Sequence, residues 1–220
     1  MAYLDFIQNV HTRTSRNYVQ RVVEYDKAEC AEIARRFGKD YWDGDRKYGY
    51  GGYNYDGRWQ AVAQRLVEHY QLKAGATILD IGCAKGFLLH DLKAIVPGAQ
   101  VKGLDVSAYA IEHAMDDVRQ DLTVGSAATL PYPDKSFDLV VSINTLHNLR
   151  VSELDAALRE IERVGRGGKY IVVDSFRNER EKVNFMYWQL TCQCFYTPED
   201  WDWWFARTGY TGDHSFVVFE

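Results

Sequence analysis

The sequence predicts an α/β fold, a doubly wound and mostly parallel sheet with helices on both faces. Three observations predict it. Between Ala76 and Asp174, short apolar runs alternate with longer stretches of helical spacing, the order that builds a parallel sheet. The first of those runs ends in a glycine-rich turn that opens a helix. Finally, the 31 aromatic residues avoid this block: thirteen lie in 1–75, five in 76–175 and thirteen in 176–220, and all six tryptophans fall outside the middle. An aliphatic core domain, 71–220, is therefore expected. Residues 1–70 form an N-terminal helical and aromatic extension, and about 176–207 a C-terminal insert.

Taken in order, Asn17 to Phe37 mixes charge with Val19, Val22, Val23, Ile33 and Phe37 as a single surface helix would, and Gly38 reads as its stop. Residues 39–57 (KDYWDGDRKYGYGGYNYDG) are too rich in glycine for anything but a loop. Asp56 can cap a helix that places Trp59, Val62, Ala63, Leu66, Val67 and Tyr70 on one face. Strands follow at Thr77–Ile81, Val101–Asp105, Leu122–Val124, Phe137–Ile143 and Tyr170–Val173, the last after a Gly167–Gly168 turn. Between them lie helices at Gly86–Ala94, from Ser107 to about Arg119, and from Ser152 to about Val164. Residues 178–193 read as helical. Thr197 caps a further helix with Pro198 at its first position, and Phe216–Phe219 reads as an antiparallel edge strand.

Composition narrows the function. The charge sum is −5 and the pI about 5.7, which disfavours a phosphate-coating surface, so no nucleic-acid partner is expected. Lys and Arg show no visible cluster apart from Arg177, Arg180 and Lys182. No run approaches the roughly 18 apolar residues of a membrane span, and the N-terminus lacks the apolar core of a secretory signal. Four scattered cysteines argue against a disulfide scaffold and for a cytoplasmic location. Cys192 and Cys194 read as buried thiols, and no metal site is expected.

The segment Ile78-Leu79-Asp80-Ile81-Gly82-Cys83-Ala84-Lys85-Gly86-Phe87 carries the strongest signal. Gly82 and Gly86 permit a tight turn and let a ligand approach the backbone. Nineteen residues beyond Gly86, Asp105 ends the second strand, where a carboxylate can accept from both hydroxyls of a ribose. With LDIGCAKG, then GLDVS, then GSAATLPYPDKSFDLVVSINTLHNL, then LREIERVGRGGKYIVVD in this order, the chain resembles the class I S-adenosylmethionine-dependent methyltransferases over about residues 70–175. A dinucleotide enzyme would show G-x-G-x-x-G, whereas this chain reads G-C-A-K-G after Ile81.

The resemblance implies S-adenosylmethionine as cofactor and S-adenosylhomocysteine as its product. It implies that Asp80, Gly82, Ala84 and Gly86 line the methionine end, with the Cys83 backbone facing the cofactor. Asp105 would hold the ribose and Val106 pack on the adenine. Ser126 and Ala127 stand where the family often has Asp-Ala, so Ser126 would accept the adenine amino group. Asn144, after the fourth strand, is placed at the cofactor too.

His147 lies about one turn beyond the fourth strand and is the candidate general base, since its ordinary pKa suits neutral pH. A cofactor-contacting or packing role is the alternative. The remaining histidines, His11, His69, His90, His113 and His214, read as surface residues. The Asn/Asp-Pro-Pro-aromatic signature of base-amine methylation is absent after the fourth strand. Tyr48, Tyr50, Tyr53, Tyr55 and Arg58 are expected to fold over the acceptor as a lid, with Tyr187 and Trp188 capping it from the other end. Arg58 could grip a carboxylate or phosphate. The expected reaction is methylation of a hydroxyl on a small sugar-like or aromatic metabolite. The alternatives are a protein or RNA methyltransferase, or an enzyme of this fold that transfers something other than methyl. A wide aromatic face could also serve a homodimer.

Overall fold

The computed structural model describes residues 1–11 and 16–220, without the side chains of Asn9 and His11, so the surface reading of His11 lies outside the described residues. The chain opens with α1 (Gln8–His11), α2 (Tyr18–Val23), α3 (Lys27–Ala34), α4 (Lys39–Asp43) and α5 (Gln60–Tyr70). The core then runs β1 (Thr77–Ile81), α6 (Phe87–Ile95), β2 (Gln100–Asp105), α7 (Ala108–Glu112), β3 (Leu122–Val124), β4 (Phe137–Ile143), α8 (Val151–Val164) and β5 (Gly165–Asp174). It closes with α9 (Glu179–Trp188), α10 (Pro198–Thr208) and β6 (Asp213–Val217). The strands form one sheet in the order β3-β2-β1-β4-β5-β6, and every pairing is parallel.

The sheet's apolar runs are continuous because both faces are covered, and the period of two sorts them. Ile78, Leu139, Val141, Tyr170 and Val172 point to the face packed by α5 and α6. Leu79, Ile81, Val140, Ile171 and Val173 point to the face packed by α8 and α10, where Leu154, Leu158, Ile161, Trp201 and Phe205 are buried. The strand order reverses between β1 and β4. Their carboxyl ends therefore diverge into a crevice, the usual ligand position in such sheets.

Several sequence expectations need correction. The terminal strand is parallel to β5, with Tyr170 opposite Asp213 and Asp174 opposite Val217. The chain passes through α9 and α10 before re-entering the sheet, so β6 runs with the others. The expected helix over 17–37 is two helices, since the Asp26 carboxylate accepts the amides of Ala28 and Glu29 and starts α3 afresh. Val19 and Val23 are 61% and 76% exposed, and Cys30 and Ala34 are buried instead. Phe37, with φ +48°, makes the left-handed turn expected of Gly38. Part of the 39–57 loop is the helix α4. Gly167 and Gly168 lie within β5, beside the register shift at Phe137–Leu139. α7 stops at Glu112, α8 starts two residues earlier than a Ser152 cap requires, and α9 ends at Trp188. His214 is buried between Phe205 and Phe216 rather than at the surface. Among the described residues, no helix is long and apolar enough to cross a membrane.

Candidate active site

Two cavities meet above the carboxyl ends of β1 and β4. The first, about 380 Å³, is floored by Asp80, Gly82, Cys83 and Ala84 and walled by Asp105, Val106, Ser126 and Ala127. The turn below it needs left-handed backbone at Gly82 (φ +82°), Ala84 (φ +50°) and Gly86 (φ +74°). A Cβ on Gly82 would lie 1.8 Å from the Thr145 hydroxyl, so only glycine lets β4 approach β1 this closely. Gly86 serves the turn from beneath, where its α-hydrogens face Val118, and does not line the cavity.

Two carboxylates face this cavity in different states. Asp105 is tied down: its oxygens accept the amides of Ala84 and Ser107, each at 2.8 Å, and spare lone pairs remain for a ligand. Asp80 is 4% exposed and accepts no hydrogen bond among the described residues. Burial, helped by the neighbouring Asp105 charge, pushes its carboxyl up to about 8. Val106 is 53% exposed at the cavity wall. The Ser126 hydroxyl accepts the Ala128 amide at 3.2 Å. The Cys83 thiol turns into the core beneath the turn, where burial raises its pKa well above the usual thiol range.

The roof comes from the N-terminal extension. Trp42 stacks on Tyr50 (5.2 Å, 4° between planes), Tyr50 meets Tyr53 at 4.6 Å, and Tyr53 stacks on Phe87 of α6 at 4.9 Å. A clasp holds this wall in place. Lys85, buried in the turn, donates to both oxygens of Asp43 at 2.7 and 2.8 Å. The Tyr53 amide and the Tyr109 hydroxyl donate to the same carboxylate. Burial opposes the charge on Asp43, but these donors win and hold its carboxyl below the usual range. Glycine-rich sequence hid this helix, yet Tyr41, Trp42 and Asp43 supply much of the roof.

The second cavity, about 360 Å³, lies on the other side of the wall and shares Tyr41, Tyr50, Tyr53, Trp59, Asn144 and Asn148 with the first. His147 and Asp174 line it, as do Arg58 and Trp188. Arg58 is already engaged, its guanidinium gripping Asp56 at 2.7 Å. Three expected lining residues lie elsewhere. Tyr48 packs on the cluster of Cys30, Ala34 and Leu190, and Tyr55 donates to Asp91 and edges against Phe87 and His90 on the outer side of α6. Tyr187 does not reach the cavity, although its carbonyl accepts from Lys27. Strand-like alternation within 48–55 is absent, so only Tyr50 and Tyr53 turn inward.

His147 sits in the 3-10 turn Leu146–Asn148, 2% exposed. Its Nδ1 accepts the Asp174 amide at 3.0 Å, which puts the proton of the neutral ring on Nε2, 3.4 Å from the Asp174 carboxylate. Burial lowers its pKa although Asp174 opposes the shift, so the ring is neutral at pH 7. In this arrangement Nδ1 is occupied by the Asp174 amide, so His147 would act as the expected general base only through the other tautomer. Asp174 is the group with acceptor capacity. Its role is not legible in the sequence, because its contact with His147 arises across two strand ends.

Residues 79–173 match the family described as methyltransferase domain. These residues form a class I methyltransferase domain. The chain is similar to methyltransferase GfsG of Streptomyces halstedii, 33% identical over 52% of this chain and 43% of that protein. It is also similar to 27-O-demethylrifamycin SV methyltransferase of Amycolatopsis mediterranei, 31% identical over 52% of this chain and 44% of the other. The chain thus spans less than half the length of either relative. Among solved structures, the [4+2]-cyclase SpnF shares the fold at a TM-score of 0.56, with 21% identity, across 95% of this chain and 73% of that one. The methyltransferase domain coincides with the aromatic-poor middle block, and both halves of the roof lie outside the matched residues.

Proposed function

We propose that this chain transfers a methyl group from S-adenosylmethionine to a hydroxyl of a small sugar-like or aromatic acceptor. The observation that carries this reading is the pair of cavities meeting at one aromatic wall. One is floored by a glycine turn and two carboxylates, the other by His147 and Asp174. The residues of the first cavity fit the cofactor. Asp80 is a buried carboxylate without a donor among the described residues, suited to an ammonium group, and Asp105 keeps lone pairs for ribose hydroxyls. Val106 offers an exposed apolar surface to adenine, and Ser126 and Ala127 its polar edge. The cradle at Gly82 has no room for a Cβ.

When bound, the cofactor supplies a methyl already activated by a sulfonium. The protein's work is then positioning and removal of one proton. Asp174 accepts the acceptor's hydroxyl proton, and the Nε2–H of His147 holds that carboxylate in place. Asn144 and Asn148 stand where both cavities join, and among the described residues the buried Oδ1 of Asn148 has no hydrogen-bond partner. Tyr50 and Tyr53 exclude water from the reacting centre. The roof supports a small acceptor over a macromolecular one. The test is incubation with isotopically labelled S-adenosylmethionine and panels of phenols, hydroxy acids and sugars. Formation of S-adenosylhomocysteine with a methylated hydroxyl is expected, and Asp174→Asn should abolish it while cofactor binding persists. Tight cofactor binding with transfer only to protein or RNA would overturn the acceptor class.

A further inference from the structure

Trp188, the last residue of α9, is covered by cations. The guanidinium groups of Arg21 and Arg46 lie over its ring at 4.8 and 5.3 Å from the centroid, and Arg16 lies at 5.6 Å. All three line the second cavity. They come from separate parts of the roof and converge only in the fold, so no cluster is visible along the chain.

Several other arginines each have an acid, although the half-buried Arg65 donates to the Phe6 carbonyl. Arg163 pairs with Glu160 and Asp134, Arg166 with Asp138, Arg177 with Glu181, and Arg58 with Asp56. Among the described residues, Arg21 and Arg46 donate to backbone carbonyls. Arg21 donates to Trp188 at 3.0 Å, and Arg46 to Gly49. Burial, and after it the charge of a neighbouring arginine, lowers the pKa of Arg21, and burial lowers that of Arg46. Holding these partly desolvated cations together is unfavourable unless an anion joins them. Carbonyls take three of Arg21's donors, two of them at 3.5 Å, and one of Arg46's, which leaves two of five and four of five for a ligand.

We infer that Arg21 and Arg46, beside Trp188, form an oxyanion subsite, so that the acceptor carries a carboxylate or a phosphate. This rests on reading the second cavity as the acceptor site. Planar guanidinium forks suit either group, and the indole floor suits a planar or sugar-like body next to it.

The test uses the full chain saturated with S-adenosylhomocysteine, titrated calorimetrically with inorganic phosphate, benzoate and neutral benzamide. One or both anions should bind, benzamide should not compete, and affinity should fall with added salt. Arg46→Met and Arg21→Met should each weaken the anion by about tenfold or more, as loss of a charge-assisted pair does, with S-adenosylhomocysteine affinity unchanged. A labelling experiment needs no variant: the bound anion should slow phenylglyoxal modification of Arg21 and Arg46, mapped by mass spectrometry. Benzoate preference would mark a carboxylate acceptor and phosphate preference a phosphorylated one. Normal S-adenosylhomocysteine binding with neither anion binding nor protection would overturn the subsite. Failure of S-adenosylhomocysteine to bind would instead overturn the methyl-transfer reading, and the labelling would still decide the subsite.

Discussion

Asp80 couples cofactor binding to pH. Its carboxyl stands at about 8 before a ligand arrives, and an ammonium group requires the ionised form. Binding therefore expels a proton, and affinity should rise with pH up to about 8 and level off above it. Well below that point the slope should approach about tenfold per pH unit. Calorimetry of S-adenosylhomocysteine between pH 6.5 and 8.5, in two buffers of different ionisation enthalpy, reads both the slope and the proton release. A flat profile would refute the assignment, and Asp80→Asn should bind weakly with no slope. At Gly82, substitution by alanine combines a left-handed backbone costing about 1–2 kcal/mol with a collision against Thr145. We expect Gly82→Ala to lose cofactor binding and melt earlier, as calorimetry and thermal denaturation would show. Both residues were legible in the sequence because a tight strand-to-helix turn dictates its own residue types. Asp174, Arg21 and Arg46 were not, since their meaning comes from what tertiary folding brings beside them.

At the scale of elements, α4 acts through its last residue. Asp43 fastens the Trp42–Tyr50–Tyr53 wall to the cofactor turn at Lys85. Asp43→Asn would leave Lys85 buried with its counter-charge gone. Because Asp43 itself is partly exposed, the cost should be about 1–3 kcal/mol, below that of breaking a fully buried pair, with weaker cofactor binding. The sign with pH follows from a carboxyl held below its usual value. The contribution is complete above the unfolded pKa near 4 and is lost as pH falls through the lower folded value. Melting temperatures of the two proteins should thus differ at pH 7, begin to converge below about pH 4 and meet only below the lower folded value. A gap that persists in acid would show that the pair contributes nothing. Strands β1, β3 and β4 and the capped helix α10 were readable, since apolar runs and a Thr-Pro start determine them locally. The direction of β6 and the break between α2 and α3 were not: the first depends on the path of a crossover, the second on one Asp26 side chain.

Across the whole molecule, the aromatic-rich ends come together although they are far apart in sequence. Arg21 and Lys27 of the N-terminal helices donate to the carbonyls of Trp188, Tyr187 and Gln189, the negative end of α9. The two ends thereby close one roof over a core domain whose own aromatics are few. Within that roof the tryptophans report separately. Trp42 lines the first cavity, Trp188 the second and Trp59 both, whereas Trp201 is buried in the far core and Trp203 is exposed. S-adenosylhomocysteine should therefore change tryptophan emission through Trp42 and Trp59, and an oxyanion ligand through Trp188. In Trp188→Phe the first response should survive and the second disappear, while in Trp42→Phe the first should shrink and the second remain. Stopped-flow fluorescence with each ligand alone and in sequence measures both. If removing Trp188 leaves the anion response intact, the anion binds away from Trp188, and the Arg21–Arg46 subsite beside that ring is refuted.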